Sequence, residues 1–317
     1  MTTKILKLIY KKLRNTEWEK LPFGLRGGKI GCMLFVALYS ECMKNARARN
    51  LSTRMLQDII SDKTVQHYTL ISGKLGAAWA LYVLNRKGIL EKDEALNGIL
   101  TSFRMKYAIY YSTAPYQILE DDNLFSSGIY TLAQHPDNDT LERYQVEERL
   151  ISLVDECERQ LSQEFITHFL QSNWTPSMLH SYIFFLQTCI KKKIFTYKAN
   201  FLLAQVEDLY KKQKEIPLCD ELICSFFLQA ETMHLPRNKS VEELFTLMGE
   251  CGFYTLLYEK PQLFHTVLAQ ACEQHPLFLE AIYKIIAQKD CSLTTLCGWG
   301  YGLLLSNKPE FFYGSKN

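Results

Sequence analysis

The chain has 317 residues, of which 47% are hydrophobic and 22% charged, and its formal net charge is +2. This composition is typical of a folded globular protein and excludes a disordered, collagen-like or coiled-coil chain. The near balance of acidic and basic residues argues against a nucleic-acid partner. The sequence contains no apolar run of about 18 residues, so it predicts no membrane span.

The chain begins with an amphipathic helix predicted within residues 1–20. Apolar residues between Ile5 and Leu13 recur at helical spacing among lysines and arginines. The segment lacks the uninterrupted apolar stretch and the small-residue cleavage site of a signal peptide. A helix that covers the fold is favoured over one that docks on a membrane surface or a partner. Ten cysteines without a C-x-x-C pair favour reduced thiols, so we expect a cytoplasmic protein.

A repeated motif indicates how the rest of the chain is organised. Gly28-Lys-Ile-Gly31 and Gly73-Lys-Leu-Gly76 each precede an unusually apolar segment, and they lie 45 residues apart. Weaker copies follow at Gly128 and Gly300. Three degenerate copies lie between these two, beginning at Met178, Leu218 and Leu263. More amphipathic segments separate the apolar ones, at 47–62, 93–108, 140–165, 196–213, 240–250 and 277–288.

These two kinds of segment predict an all-α protein. Strand-like alternation is scarce, and the nine prolines lie between the periodic segments. A helix that is apolar all round must be buried, whereas an amphipathic helix covers it and faces water. About seven such hairpins bury their apolar faces by closing into a ring. We therefore predict a single α/α-toroid domain over residues 1–317, with its repeats in 23–306, and an open solenoid is the alternative.

The glycine-rich turns FGLRGGKIG and ISGKLG are similar to those of the lanthionine synthetase C-like family, the lantibiotic cyclases. The resemblance covers residues 23–306 and implies an α/α toroid whose inner helices start at one mouth. It also implies a zinc ion held by two cysteines and one histidine. In that family the zinc activates a peptide cysteine thiolate, which adds to a dehydrated Ser or Thr and closes a thioether ring.

Residue by residue, the chain keeps only part of the family pattern. Cys219 and His265 match two of the zinc ligands, whereas Phe264 stands where the second cysteine is expected. His180 and Asp121 match the residues with acid/base roles. Because a catalytic zinc normally has three protein ligands, the resemblance implies an incomplete site, and we expect no bound cofactor, with zinc as the alternative.

Three functions therefore remain open. We expect a divergent member of a peptide-modification system that binds a precursor peptide or a partner enzyme and does not cyclise. The first alternative is an active thioether cyclase, in which Cys297 or Asp220 completes the zinc site. The second is a carbohydrate-active α/α toroid, in which Asp121, Asp122 and Glu221 supply the paired carboxylates.

Overall fold

A computed structural model describes residues 1–91, 93–113, 123–135, 141–161, 177–212, 215–228 and 233–307. In these ranges the chain has fourteen α-helices, one short 3-10 helix at Trp18–Lys20 and no β-strand, which confirms the all-α prediction. No helix there is both long and apolar enough to cross a membrane. The helices are α1 (Thr2–Arg14), α2 (Lys29–Cys42), α3 (Ala46–Ser61), α4 (Lys74–Arg86), α5 (Glu94–Thr113), α6 (Asn123–Gln134), α7 (Leu141–Gln160), α8 (Ser177–Lys191), α9 (Thr196–Lys212), α10 (Leu218–Phe227), α11 (Val241–Leu257), α12 (Pro261–Gln274), α13 (Phe278–Gln288) and α14 (Leu293–Asn307).

The chain divides into two compact units. The first contains Met1–Phe103 and the C-terminal part of the chain from His234, and the second contains Arg104–Met233. Each unit has a buried apolar core of its own. The single toroidal domain over residues 1–317 stays a prediction.

Four helices of the first unit, α2, α4, α11 and α14, are buried on nearly all sides. In α2 every residue from Ile30 to Ser40 is buried, and α11 and α14 have comparably long buried stretches. α14 packs against both α2 and α11. The amphipathic helices α1, α3, α12 and α13 cover them, as expected where apolar helices must be surrounded by others. The predicted N-terminal helix is among these, with its apolar face packed on α13 and α14.

The two glycine-lysine turns start α2 and α4, as the sequence predicts. In both cases the preceding loop folds back against the first helical turn. A Cβ atom at Gly31 would overlap the Leu25 carbonyl oxygen, and one at Gly76 would overlap the Leu70 carbonyl oxygen. Glycine is therefore required at both positions by the close approach of the loop backbone.

The predicted order of buried and covering helices does not hold after residue 240. The sequence predicts a covering helix at 240–250 and a buried helix from Leu263, but α11 is buried along most of its length, whereas α12 is buried on one face. The physical reason is the close contact between α11 and α14. A Cβ atom at Gly252 would overlap the Gly298 carbonyl group, and one at Gly298 would overlap the Gly249 carbonyl group. Backbones this close shield α11 from water.

The second unit is arranged around α8, which contacts α6, α9 and α10. Two side-chain hydrogen bonds fix α8 against α10. One joins His180 to Asp220, and in the other the Gln187 side chain donates to the Phe227 carbonyl oxygen at 2.8 Å. Both bonds join residues 40 positions apart in the chain, so α8 and α10 run parallel and start side by side.

Candidate functional site

His180 and Asp220 form a buried polar pair at the starts of these two parallel helices. His180 lies in the first turn of α8 with an exposed fraction of 0%, and Asp220 lies in the first turn of α10 with an exposed fraction of 8%. The His180 Nε2 and Asp220 Oδ1 atoms are 3.1 Å apart. The structure therefore brings the predicted acid/base histidine next to the segment that also carries Cys219.

The local sequence explains this placement. Pro217 ends the preceding segment in an extended conformation, and α10 begins directly after it. The acidic residues Asp220 and Glu221 then fall in the first helical turn, where negative charge interacts favourably with the helix dipole. Asp220 is buried towards α8, whereas Glu221 is exposed.

The pair constrains the imidazole of His180. A carboxylate that accepts a hydrogen bond from Nε2–H fixes the ring orientation and selects one tautomer. In that tautomer Nδ1 is the proton-accepting nitrogen. The arrangement holds the imidazole in one orientation at the start of α8, and the acid/base role that the resemblance implies for His180 stays a prediction.

The thiols beside this pair are buried. Cys219, which precedes Asp220, has an exposed fraction of 5%. Burial, followed by the nearby carboxylates of Asp220 and Glu221, raises the pKa of the Cys224 thiol. Since the thiolate is the form that attacks electrophiles, burial makes Cys224 a poor nucleophile.

The two remaining positions of the family pattern lie on α12 in the first unit. Phe264 is fully buried, and its ring packs edge-on against Trp299 with the ring centroids 5.5 Å apart. The same ring lies so close to Gly302 that a Cβ atom there would overlap it. His265, the next residue, is exposed. The position expected for the second cysteine is thus filled by a core aromatic residue without a donor atom, and these residues do not fit the zinc centre of the family.

The residues that were predicted as substitutes have other partners. The Cys297 Sγ atom lies 3.9 Å from the Cys32 Sγ atom, and this contact, together with burial, raises the pKa of the Cys297 thiol. Asp121 and Asp122 lie outside the described residues. Within the described ranges, no group of three or more His, Cys, Asp or Glu side chains is placed to hold a metal ion.

Sequence reasoning did not predict that Asp220 is the partner of His180. The two residues occupy equivalent positions, because both lie in the first turn of an apolar helix in successive repeats. This equivalence could have predicted the pair. Parallel neighbouring helices bring such positions together.

Comparisons with known proteins found no matching family model, no matching curated protein and no matching solved structure. The resemblance to the lanthionine synthetase C-like family consequently depends on the glycine-rich turns and on the matched residues alone. The geometry of the described residues supports the functional proposal below.

Proposed function

We propose that this chain is a lanthionine synthetase C-like protein of a cytoplasmic peptide-modification system, which binds a dehydrated precursor peptide and does not close thioether rings. The observation that carries this proposal is the burial of Phe264 between α12 and α14. An aromatic ring there supplies no ligand, and its packing against Trp299 makes it part of the core. The loss of the ligand is therefore built into the packing of the first unit.

Two features support the ring-shaped fold that the proposal assumes. In the first unit, Cys32 and Phe35 of α2 meet Cys297 and Gly300 of α14, so these helices from opposite ends of the chain are parallel neighbours. In the second unit, α8 and α10 are parallel neighbours as well. Parallel neighbouring inner helices are the arrangement that an α/α toroid requires.

The His180–Asp220 pair fixes the helix starts at which the proposal places the peptide. A buried and hydrogen-bonded imidazole is held in one orientation, and preorganised polar groups reduce the entropic cost of binding.

The zinc content of the purified full-length chain tests the non-cyclising part of the proposal. After incubation with zinc and removal of excess metal by gel filtration, we expect less than one-tenth of an equivalent of bound zinc. The variant His265→Ala should retain the same small amount as the wild type, and His67→Ala, which removes an exposed histidine elsewhere in the first unit, is the matched control. One equivalent of zinc that is lost only in His265→Ala would support the cyclase instead.

Peptide binding and ring closure are measured with one synthetic probe, a fluorescein-labelled peptide that contains a dehydroalanine and a cysteine. We expect its fluorescence anisotropy to rise on addition of the protein. Its free thiol, titrated with iodoacetamide and detected by mass spectrometry, should disappear no faster than in buffer. Absence of binding at millimolar peptide would contradict the proposal, as would thiol consumption well above the buffer rate.

A further inference from the structure

A groove on the surface of the first unit indicates a second binding site, which is independent of the proposed peptide-binding role. It lies between the C-terminal end of α1, the 3-10 helix and α3, and has a volume of about 730 Å³. Volumes of this size are typical of small-molecule sites. We name it the arginine groove because Arg14, Arg47 and Arg54 line it.

None of the three arginines of the groove has an ion-pair partner within the described part of the chain. By contrast, Arg26 of the first unit contacts Glu250, and Arg49 of the same helix α3 contacts Glu41. The three guanidinium groups outnumber the two carboxylates of the groove, those of Glu17 and Glu19, and an anionic ligand would balance the excess positive charge.

The position of these side chains follows from helix geometry. Arg47 and Arg54 are seven residues apart on α3, which is two turns, so both project from one face at a spacing of about 10 Å. Arg14 ends α1 and approaches the groove from the other side. The arrangement is that of a clamp, with positive groups on both walls, and guanidinium groups bind phosphate by paired hydrogen bonds.

One residue that lines the groove also carries a buried hydroxyl group without a hydrogen-bond partner in the described ranges. Tyr10 lines the groove and is 7% exposed, and its ring stacks on Tyr39 with centroids 4.6 Å apart. Among the described residues its hydroxyl oxygen has no hydrogen-bond partner, although buried polar atoms are nearly always paired. A phosphate oxygen would accept the hydrogen bond that the free protein leaves unmade.

The remaining residues of the groove indicate what the phosphate is attached to. The 3-10 helix contributes the half-buried indole of Trp18 and the carboxylate of Glu19 to the lining. An aromatic ring offers a stacking surface to a flat heterocycle, and a carboxylate accepts hydrogen bonds from the hydroxyl groups of a sugar. Glu17, the other acid of the groove, is held by Lys20 at 2.6 Å and so leaves the arginines available. We propose that the arginine groove binds a nucleotide, with its phosphates on the arginines and its base on Trp18.

Isothermal titration of the full-length chain with ATP, in the absence of divalent metal, tests the site. We expect the double variant Arg47→Gln/Arg54→Gln to bind ATP at least about tenfold more weakly than the wild type. Arg49→Gln is the matched control, since it removes an ion-paired arginine from the same helix and should change the affinity less than about twofold. No binding of ATP at millimolar concentration, or equal losses in the two variants, would overturn the proposal.

Two further variants distinguish recognition of the nucleotide base from recognition of its phosphates. Trp18→Leu should weaken ATP binding while leaving the affinity for inorganic pyrophosphate unchanged. Pyrophosphate that binds to the wild type as tightly as ATP would overturn the assignment of a nucleotide. Tyr10→Phe should weaken ATP binding about threefold without lowering the Tm of the free protein, because the hydroxyl has no partner to lose there. A lowered Tm with unchanged ATP affinity would show that the hydroxyl is structural and would contradict its role in the site.

Discussion

At the scale of single residues, the contact between Gly252 and Gly298 determines which helices are central in the first unit. The carbonyl groups of one helix lie where the Cβ atoms of the other would be, so no other residue type fits without moving a backbone. Such contacts transmit strain because both sides are main chain, which cannot rotate away as a side chain can.

We expect Gly298→Ala to destabilise the protein by about 1–3 kcal/mol, since overpacking forces α11 and α14 apart. Gly98→Ala is the control, because Gly98 is exposed within α5 and a Cβ atom there would contact nothing within 4 Å. That variant should be more stable than the wild type by about 0.5–1 kcal/mol. Urea denaturation measures both differences. A neutral Gly298→Ala would show that the two helices do not approach so closely.

The His180–Asp220 pair allows a prediction about the stability of the second unit. Asp220→Ala should cost about 1–3 kcal/mol of stability, because it removes the acceptor of a buried hydrogen bond. Asp220→Asn retains an oxygen acceptor at the same place and should cost less. Comparison of their urea midpoints checks the order, and an alanine variant as stable as the asparagine variant would show that the bond contributes little.

At the scale of helices, the start of α11 is fixed by a reciprocal cap. The Ser240 hydroxyl accepts a hydrogen bond from the Glu243 backbone N–H, and the Glu243 carboxylate accepts one from the Ser240 backbone N–H. Because these bonds satisfy N–H groups that the helix itself leaves unpaired, Ser240→Ala should cost about 1 kcal/mol. A shift in the thermal unfolding midpoint of the variant is the measurement.

The same cap predicts a response to acid. The Ser240 backbone N–H, followed by the Lys239 ammonium group, lowers the pKa of the Glu243 carboxyl from 4.5 to about 2. A carboxyl whose pKa is lowered in the folded state adds stability above its unfolded pKa and loses it as the pH falls through the folded value. The stability difference between wild type and Glu243→Gln should therefore be full above pH 4.5 and decline towards pH 2. A difference independent of pH would contradict this assignment.

The helices also show what a sequence can and cannot predict here. The amphipathic segment predicted from residue 240 and the glycine-lysine turns at Gly28 and Gly73 correctly locate the starts of α11, α2 and α4, because those signals are local. Whether a helix is central is decided by its neighbours. The acidic first turn of α11 makes its beginning resemble a covering helix, and only the later glycines reveal the close contact with α14.

The candidate sites also combine features that a local sequence pattern predicts with features that depend on how the helices pack. That His180 belongs to a site stays a prediction, and its bond to Asp220 depends on a helix pairing that no local pattern encodes. The arginine groove was not predicted, although the seven-residue spacing of Arg47 and Arg54 is visible in the sequence. The spacing places both on one helix face, but the contribution of Arg14 requires α1 to be docked beside α3.

At the scale of the whole molecule, the first unit is assembled from both ends of the chain. α14 packs against α1 and α2, and the Tyr301 hydroxyl donates to the Gly31 carbonyl oxygen at 2.5 Å, across 270 positions of sequence. A buried hydrogen bond between such distant segments can form only when the unit is complete. The unit therefore should open as one cooperative structure.

Hydrogen exchange tests that cooperativity. We expect the amides of α2 and α14 to exchange at the same slow rate, because neither helix can be exposed without the other. The amides of α3, which covers α2 from outside, should exchange faster. Exchange of α14 that is much faster than exchange of α2 would show that the C-terminal helix detaches by itself.

Assembly from two distant segments also has a consequence during protein synthesis. The ribosome completes α2 long before α14 exists, because 250 residues separate the end of one from the start of the other. At about 5–20 residues per second, the nascent α2 waits about 10–50 s for its final neighbour. Throughout that interval an apolar surface faces the cell, so efficient production should require a chaperone that binds nascent chains.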